Sequence, residues 1–283
     1  MGILNVTPDS FSDGGLYSSM DAAIQHGLKM IAEGADIIDI GGESTRPYAD
    51  PISIQEELDR VIPIIESLRP KTEITLSVDT SKPEVIKAAI DAGAEMINDV
   101  RALSLSGALT TITEHPKAHT LSICLAHMPA EPPVMQDNPH YENVTQEVYA
   151  FLEKRIQACL AAGLNKNQLV ADPGFGFGKT TVDNFQVLNQ LDTFKSLDLP
   201  ILVGLSRKAC MGATLNQPVT ERLYGSLAAA VLAVSKGANI IRCHDVKATR
   251  EAITITEAIL NTPHPALRAT FPREGRRDTL AHT

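Results

Sequence analysis

The chain contains no tryptophan, and its aromatic residues make up only 4% of 283 positions. Large rings cannot fill a core of this size, so aliphatic side chains must; barrel interiors layered with Val, Ile and Leu fit that economy. Cysteine is also scarce. Cys124, Cys159, Cys210 and Cys243 lie far apart and make no C-x-x-C pair, which argues against a zinc site or a disulfide frame. Free thiols of this kind indicate a reducing, cytoplasmic setting. No apolar run approaches the ~20 residues that span a bilayer, and no signal-peptide pattern opens the chain. A concentrated basic segment is missing too, and the formal net charge is −9. An acidic surface does not draw in nucleic acid, so any anionic substrate must be held by a local cationic cluster.

What the chain does have is a repeated unit. Gly34-Ala35-Asp36-Ile37-Ile38-Asp39, Gly93-Ala94-Glu95-Met96-Ile97-Asn98 and Gly237-Ala238-Asn239-Ile240-Ile241-Arg242 share one layout. Each has a Gly suited to a left-handed helix C-terminus, a short apolar run suited to a buried parallel strand, then a polar residue. Ile24, Leu28 and Ile31 recur at helical spacing before the first unit, as Val85, Ala89 and Ala92 do before the second. Gly34 to Gly93 leaves room for two βα units and Gly93 to Gly237 for four, at about thirty to thirty-six residues each. Further strands are expected at 3–6, 74–78, 121–125, 169–171 and 201–203. A doubly wound sheet alternates the same elements. Eight strands instead predict an α/β fold of the (β/α)8 TIM-barrel type, a single domain over 1–262. Segment 263–283, rich in Pro, Arg and Thr, is expected to be a mobile tail.

Nearly every expected strand ends on a polar residue: Asn5, Asp39, Asp79, Asn98, His127, Asp172, Lys208, and Arg242 with His244. In a barrel these positions form the active-site face. Any one could be a cap, and Asp39, inside an apolar run, reads as purely supporting; the ring as a whole does not read as scaffolding. Asp79, Asn98 and Asp172 suit a flat, nitrogen-rich heterocycle. A carboxylate accepts two parallel N–H bonds from an aminopyrimidine edge, and Asn supplies both a donor and an acceptor. Lys208, Arg242 and His244, with Arg46 and Arg207 nearby, form a cationic group. On an extended segment Arg242 and His244 share one side, as a phosphate clamp requires, and His244 reads there as a hydrogen-bond donor. The run from Asp172 to Thr180 imitates a nucleotide loop, but Pro173 stands where a P-loop needs Gly. Its glycines more plausibly let the backbone, Phe175 and Phe177 approach a flat ligand, or simply make a flexible loop.

Several motifs together resemble one family. Met1-Gly2-Ile3-Leu4-Asn5-Val6-Thr7-Pro8-Asp9-Ser10-Phe11-Ser12-Asp13-Gly14-Gly15 closely resembles the first catalytic loop of dihydropteroate synthases. Gly41-Gly42-Glu43-Ser44-Thr45-Arg46-Pro47 is similar to their second loop. Ser77 to Pro83, Ile97-Asn98-Asp99, Asp172 to Lys179, Ser206-Arg207-Lys208 and Arg242-Cys243-His244-Asp245 follow in family order. The resemblance spans roughly residues 1–260. It implies condensation of (7,8-dihydropterin-6-yl)methyl diphosphate with 4-aminobenzoate in folate biosynthesis, with sulfonamides as inhibitors and a homodimeric assembly.

By the same likeness Asp79, Asn98, Asp172 and Lys208 hold the pterin. Thr45, Arg242 and His244 hold the diphosphate, Arg46 and Cys243 are further substrate-binding residues, and Asn5 meets Mg²⁺. Arg207, Lys208, Phe175 and Phe177 surround the aminobenzoate, and Asp13 rides on a mobile loop that closes over the site. Departures from the family pattern are Tyr48 where Gly is common, Ala209 where some relatives carry Ser, and Ala126 and Pro129 around His127. Family members also carry a segment ahead of the first strand, which here would precede Met1. A pterin-dependent methyltransferase is the nearest rival enzyme, yet it has no use for a diphosphate clamp; a non-catalytic pterin-binding barrel would have lost clamp or metal residues, and none is lost.

Overall fold

Short apolar runs alternate with amphipathic helices along the chain, and each run becomes one parallel strand. The computed structural model describes residues 1–6, 16–44, 50–129 and 139–261. The elements are β1 (Gly2–Asn5), α1 (Leu16–Ala32), β2 (Ile37–Gly41), α2 (Ile54–Leu68), β3 (Thr75–Asp79), α3 (Pro83–Ala92), β4 (Met96–Asp99) and α4 (Ala108–Thr113). They continue with β5 (Ser122–Ala126), α5 (Val144–Ala161), β6 (Leu169–Asp172), α6 (Thr181–Asn189), β7 (Leu202–Val203), α7 (Ala209–Leu215), α8 (Leu223–Ser235), β8 (Ile240–Ile241) and α9 (Val246–Leu260). Strands β1 to β6 pair in chain order, and β7 pairs with β8. Two single bridges complete the ring, Ala171 to Ile201 and Gly2 to Cys243. Eight parallel strands therefore close on themselves, as a (β/α)8 barrel requires.

All eight expected strands are present. The last two are only two residues long; past β8 the Arg242 N–H still bonds Val203 O, and Cys243 then pairs with Gly2 of β1. The three echoed glycines adopt the left-handed conformation expected of them, with φ of +95° at Gly34, +110° at Gly93 and +104° at Gly237. Helix starts are fixed locally: Ser53 accepts the Glu56 N–H before α2, and Thr180 and Asp183 form a reciprocal capping box before α6.

Successive strand residues face opposite sides of the sheet. One set, including Leu4, Ile38, Ile40, Leu76, Val78, Ile97, Ile123, Leu125 and Val203, joins the large core shared with the helices. The other set faces the axis. Its lower layer is a separate cluster of Met1, Met96, Cys124, Val170 and Leu202, flanked by Ile37 and Ile240. Branched aliphatics dominate the layer under the helices, whereas Met and Cys share the axis, which differs from an interior of Val, Ile and Leu alone. All four cysteines are free and buried. Among the described residues no helix is long and apolar enough to cross a membrane. The expected tail at 263–283 and the loops carrying Asp13, Thr45, Arg46 and Tyr48 lie outside the described residues.

Candidate active site

The alternation that buries the apolar lower layer carries a polar layer above it. Asp39, Asp79, Asn98, Asp172 and Arg242 stand on the same parity as Ile37, Met96, Val170 and Ile240, one or more steps nearer the C-terminal end of their strands. Arg242 Nε donates to Asp39 Oδ2 at 2.6 Å and Nη2 to Asp79 Oδ2 at 2.7 Å. Asp39, wholly buried, also accepts Ser77 Oγ–H at 2.6 Å and Asn98 Nδ2–H at 2.9 Å. Each oxygen of Asp39 is thus engaged, while Asp79 Oδ1 is buried and has no hydrogen-bond partner among the described residues. Leaving such an acceptor unpaired costs about 1–3 kcal/mol; a ligand N–H would recover it.

Two carboxylates sharing one guanidinium leave excess negative charge in a dry place. Burial pushes the Asp79 carboxyl up to about 7, with Asp39 adding repulsion and Arg242 opposing it. Burial disfavours the Arg242 cation, yet Asp39 and Asp79 together hold it above its ordinary range. Burial also raises Asp172, against the Gly174 N–H that its Oδ1 accepts at 2.7 Å.

The loop after β6 forms the opposite wall. Gly174 has φ +71°, and a Cβ there would overlap the His127 carbonyl oxygen at 1.8 Å. Gly176 has φ +81°, and a Cβ there would press on Lys208 Cδ at 2.9 Å. Only glycine permits both approaches. The Lys208 ammonium lies 4.3 Å from the centre of the Phe177 ring, a cation–π contact, and burial lowers its pKa to about 8, with Arg242 adding to the effect. Asp79, Asn98, Val100, Asp172, Phe175, Phe177, Gly204, Lys208 and Arg242 line one cleft. Phe177 presents its ring to this cleft beside Val100 and Met128; Phe175 is mostly part of the main core.

Other expected site residues lie around the cleft without lining it. Arg207, in the left-handed region at φ +56°, directs its guanidinium to Asp245 in a two-point ion pair. Ser206 Oγ accepts the His244 backbone N–H at 3.1 Å and lies 3.0 Å from its Nδ1. When the Ser206 hydroxyl donates its proton to Nδ1, the ring proton sits on Nε2 as a donor. Burial, then Arg242 and Arg207, lower His244 to about 4, so it is neutral at neutral pH, as a donor rather than a cation. Cys243 is buried and belongs to the core shared by strands and helices, as Val246 of α9 does, so its side chain serves strand–helix packing. Asn5 ends β1 beside Gly41. A Cβ at Gly41 would lie 3.8 Å from both Asn5 Oδ1 and Asp79 Oδ2, so glycine keeps open a space between these two oxygens.

Some contributors carried weaker signals. Asp99, fully buried, takes N–H bonds from Arg101 and Leu103 and the Ser81 hydroxyl, pinning the left-handed Ala102 and Leu103. Arg155 of α5 donates to both of their carbonyls. Lys82 bridges Glu43 and the buried Glu57 below the β2–α2 loop. A buried charge is the common signal, legible only once burial is known.

A closed barrel with a polar cleft at the C-terminal ends of its strands defines an enzyme-type small-molecule site. Residues 1–244 match the pterin binding enzyme family, and the chain belongs to that family. Within it the chain is similar to dihydropteroate synthases. It is 50% identical over 261 residues to that of Haemophilus influenzae, covering 92% of this chain and 94% of the relative. The crystal structure of Yersinia pestis dihydropteroate synthase with a sulfonamide drug complex has a TM-score of 0.86 at 50% identity, covering 92% of this chain and 93% of that one. Xanthomonas albilineans dihydropteroate synthase in complex with 7,8-dihydropteroate has a TM-score of 0.84 at 47% identity, covering 93% and 94%.

Proposed function

We propose that this chain is a dihydropteroate synthase, a transferase joining (7,8-dihydropterin-6-yl)methyl diphosphate to 4-aminobenzoate with release of diphosphate. One observation carries the reading: a carboxylate oxygen on Asp79, buried and without a hydrogen-bond partner among the described residues, faces a cleft shared with Asn98, Asp172, Lys208 and Arg242. That set offers acceptors to the aminopyrimidine edge of a pterin and cations toward a leaving anion.

When the C–O bond to diphosphate breaks, positive charge on the exocyclic carbon spreads into the ring. Asp79 and Asp172 stabilise that charge in a dry site, where fixed charges act most strongly. The amine attacks the same carbon, and its proton becomes acidic only after attack, so no strong base is needed. Neutral His244 donates from Nε2 to a phosphate oxygen, and Arg242 adds its charge from between Asp39 and Asp79. Phe177 and Lys208 form the wall on the amine side. Thr45 and Arg46 are assigned to the diphosphate and Asp13 to closure, from their motifs alone. The test is diphosphate release with both substrates together, compared with either alone; release that ignores 4-aminobenzoate would overturn the assignment.

Asn5, whose Oδ1 stands beside Gly41 near Asp79, would be the oxygen ligand of Mg²⁺. Hard cations of this kind bind through one or two protein oxygens plus substrate phosphates; when bound, the ion neutralises the departing diphosphate. Among the described residues no cluster of three His, Cys, Asp or Glu competes for that role. Sulfonamides, which mimic 4-aminobenzoate, are the expected inhibitors. A homodimer is proposed through α8 and α9, which expose Tyr224, Leu232, Ile255 and Ile259. The four buried free thiols suit a cytoplasmic enzyme.

A further inference from the structure

The glycine-rich loop after β6 has three residues at positive φ, Gly174, Gly176 and Gly178. Glycines make that path accessible but do not hold it, since they lose the most conformational entropy on ordering. Lys179 does. Its side chain turns back into the loop and is buried. The ammonium donates to Gly174 O at 2.9 Å and to Phe177 O at 3.2 Å, and lies 2.9 Å from His127 Nδ1. Burial lowers the Lys179 pKa to about 7, with Asp172 opposing; in its charged form the three ammonium donors meet these three acceptors.

His127 is held in turn. It is buried, and its ring stands edge-on to Phe151 with centroids 4.9 Å apart. Burial, then Lys179, lower it to about 2, so the imidazole stays neutral and presents a lone pair at Nδ1. Tyr141 OH adds a bond to Gly178 O at 2.8 Å. The two ends of the loop differ in redundancy. Gly174 is also fixed by its N–H to Asp172 and by packing on the His127 backbone. The Phe177 ring packs on Val100 and Met128 and under Lys208, but among the described residues its backbone has, besides the lysine, one hydrogen bond, from its N–H to Gly174 O.

We propose that Lys179 and His127 form a clamp that positions Phe177, and through it the aromatic-amine half of the site. Neither residue lines the cleft, so both are positioning residues. The assignment of Phe177 to the amine side rests on the function proposed above.

The test compares the full-length enzyme with Lys179→Met, His127→Leu and His127→Asn. Asn places an acceptor where Nδ1 stood, whereas Leu does not, and both lose the same ring packing. Lys179→Met and His127→Leu should raise KM for 4-aminobenzoate about fivefold or more, while KM for the pterin diphosphate stays within about twofold. His127→Asn should recover most of that loss. Lower kcat from fewer folded molecules, with both KM values unchanged, would reduce the pair to a structural role and overturn the proposal. If Lys179→Met does not fold, the two His127 variants carry the comparison. Amide hydrogen exchange at Gly176 and Phe177 separates the two readings. Faster exchange in His127→Leu than in His127→Asn supports the clamp even if no dihydropteroate is formed, and equal exchange overturns it.

Discussion

Arg242 Nε sits 2.6 Å from Asp39 Oδ2, across 203 residues of chain. The contact ties the last strand to the second and sets the direction of a cation that also reaches Asp79. Asp39 is therefore more than a cap in an apolar strand. By accepting from Asn98 as well, it orients both a cationic and an amide group of the cleft while presenting nothing to a ligand itself.

Asp39→Asn should preserve this geometry and remove its charge. The Asn oxygen can accept from Asn98 and Arg242, while its amide donates to Ser77. Arg242 would then keep Asp79 as its one charged partner in this pair and be held more weakly from the side of position 39. We expect kcat/KM to fall about ten- to a hundredfold, equal to about 1.4–2.7 kcal/mol. Stability should drop by less than the roughly 3–5 kcal/mol of a fully broken buried pair, because Asp79 still compensates the guanidinium. Steady-state kinetics beside urea unfolding would check both, and wild-type turnover would show that Asp39 does not direct Arg242.

Asp172→Asn separates folding from chemistry at the neighbouring strand. An Asn oxygen can still accept the Gly174 N–H that Asp172 takes at 2.7 Å, so the loop turn survives. The negative charge facing the pterin cation does not. Turnover should fall about 10²- to 10³-fold, the scale of losing one preorganised electrostatic partner, with an unchanged circular-dichroism spectrum. Near-normal turnover would remove Asp172 from the reacting site.

Much of this site was readable before any coordinates. A glycine, a short apolar run and a terminal polar residue mark a buried parallel strand, and period two carries those polar residues to the axis. Asp79, Asn98 and Asp172 meet in the cleft for that reason, whereas Lys208 lies beyond β7 and reaches it from the N-cap of α7. The direction of Arg242 was not readable, because its partner Asp39 lies in a distant strand and a buried carboxylate looks like a cap until its contacts are known. Arg207 looked free beside Lys208, yet Asp245 in the next βα loop takes its guanidinium. Lys179 closed a run that imitates a nucleotide loop, and only burial shows its ammonium bonded inward. The roles read for Asp13, Thr45 and Arg46 concern residues outside those described.

Asn5→Ala tests the metal assignment through binding rather than turnover. Mg²⁺ should tighten binding of the pterin diphosphate to the wild-type enzyme in calorimetry. The variant should lose most of that enhancement and keep its metal-free affinity, because the gap at Gly41 still admits the ligand. A variant retaining the full Mg²⁺ effect would place the ion on other oxygens.

Lys208→Met should make the protein more stable and much less active, and the sign of its pH dependence follows from burial. The ordinary lysine value of 10.5 is lowered to about 8 in the folded protein, chiefly by burial and then by Arg242, with Asp172 and Asp79 opposing. Between these two values the unfolded chain binds the proton and the folded protein does not, so wild-type stability rises with pH across that window. Below about 8 the lysine is charged in both states, and the full cost of burying the cation is present. Methionine removes that cost while keeping a flexible apolar stem against Phe177. The variant should therefore have the higher Tm at pH 7, by about 2–4 °C for each kcal/mol relieved, and the difference should shrink as pH rises toward 10. Loss of the cation at the cleft should lower kcat/KM by about a hundredfold at the same time. A variant that is less stable at pH 7, with a gap to wild type that does not change with pH, would show that Lys208 is not a strained buried cation.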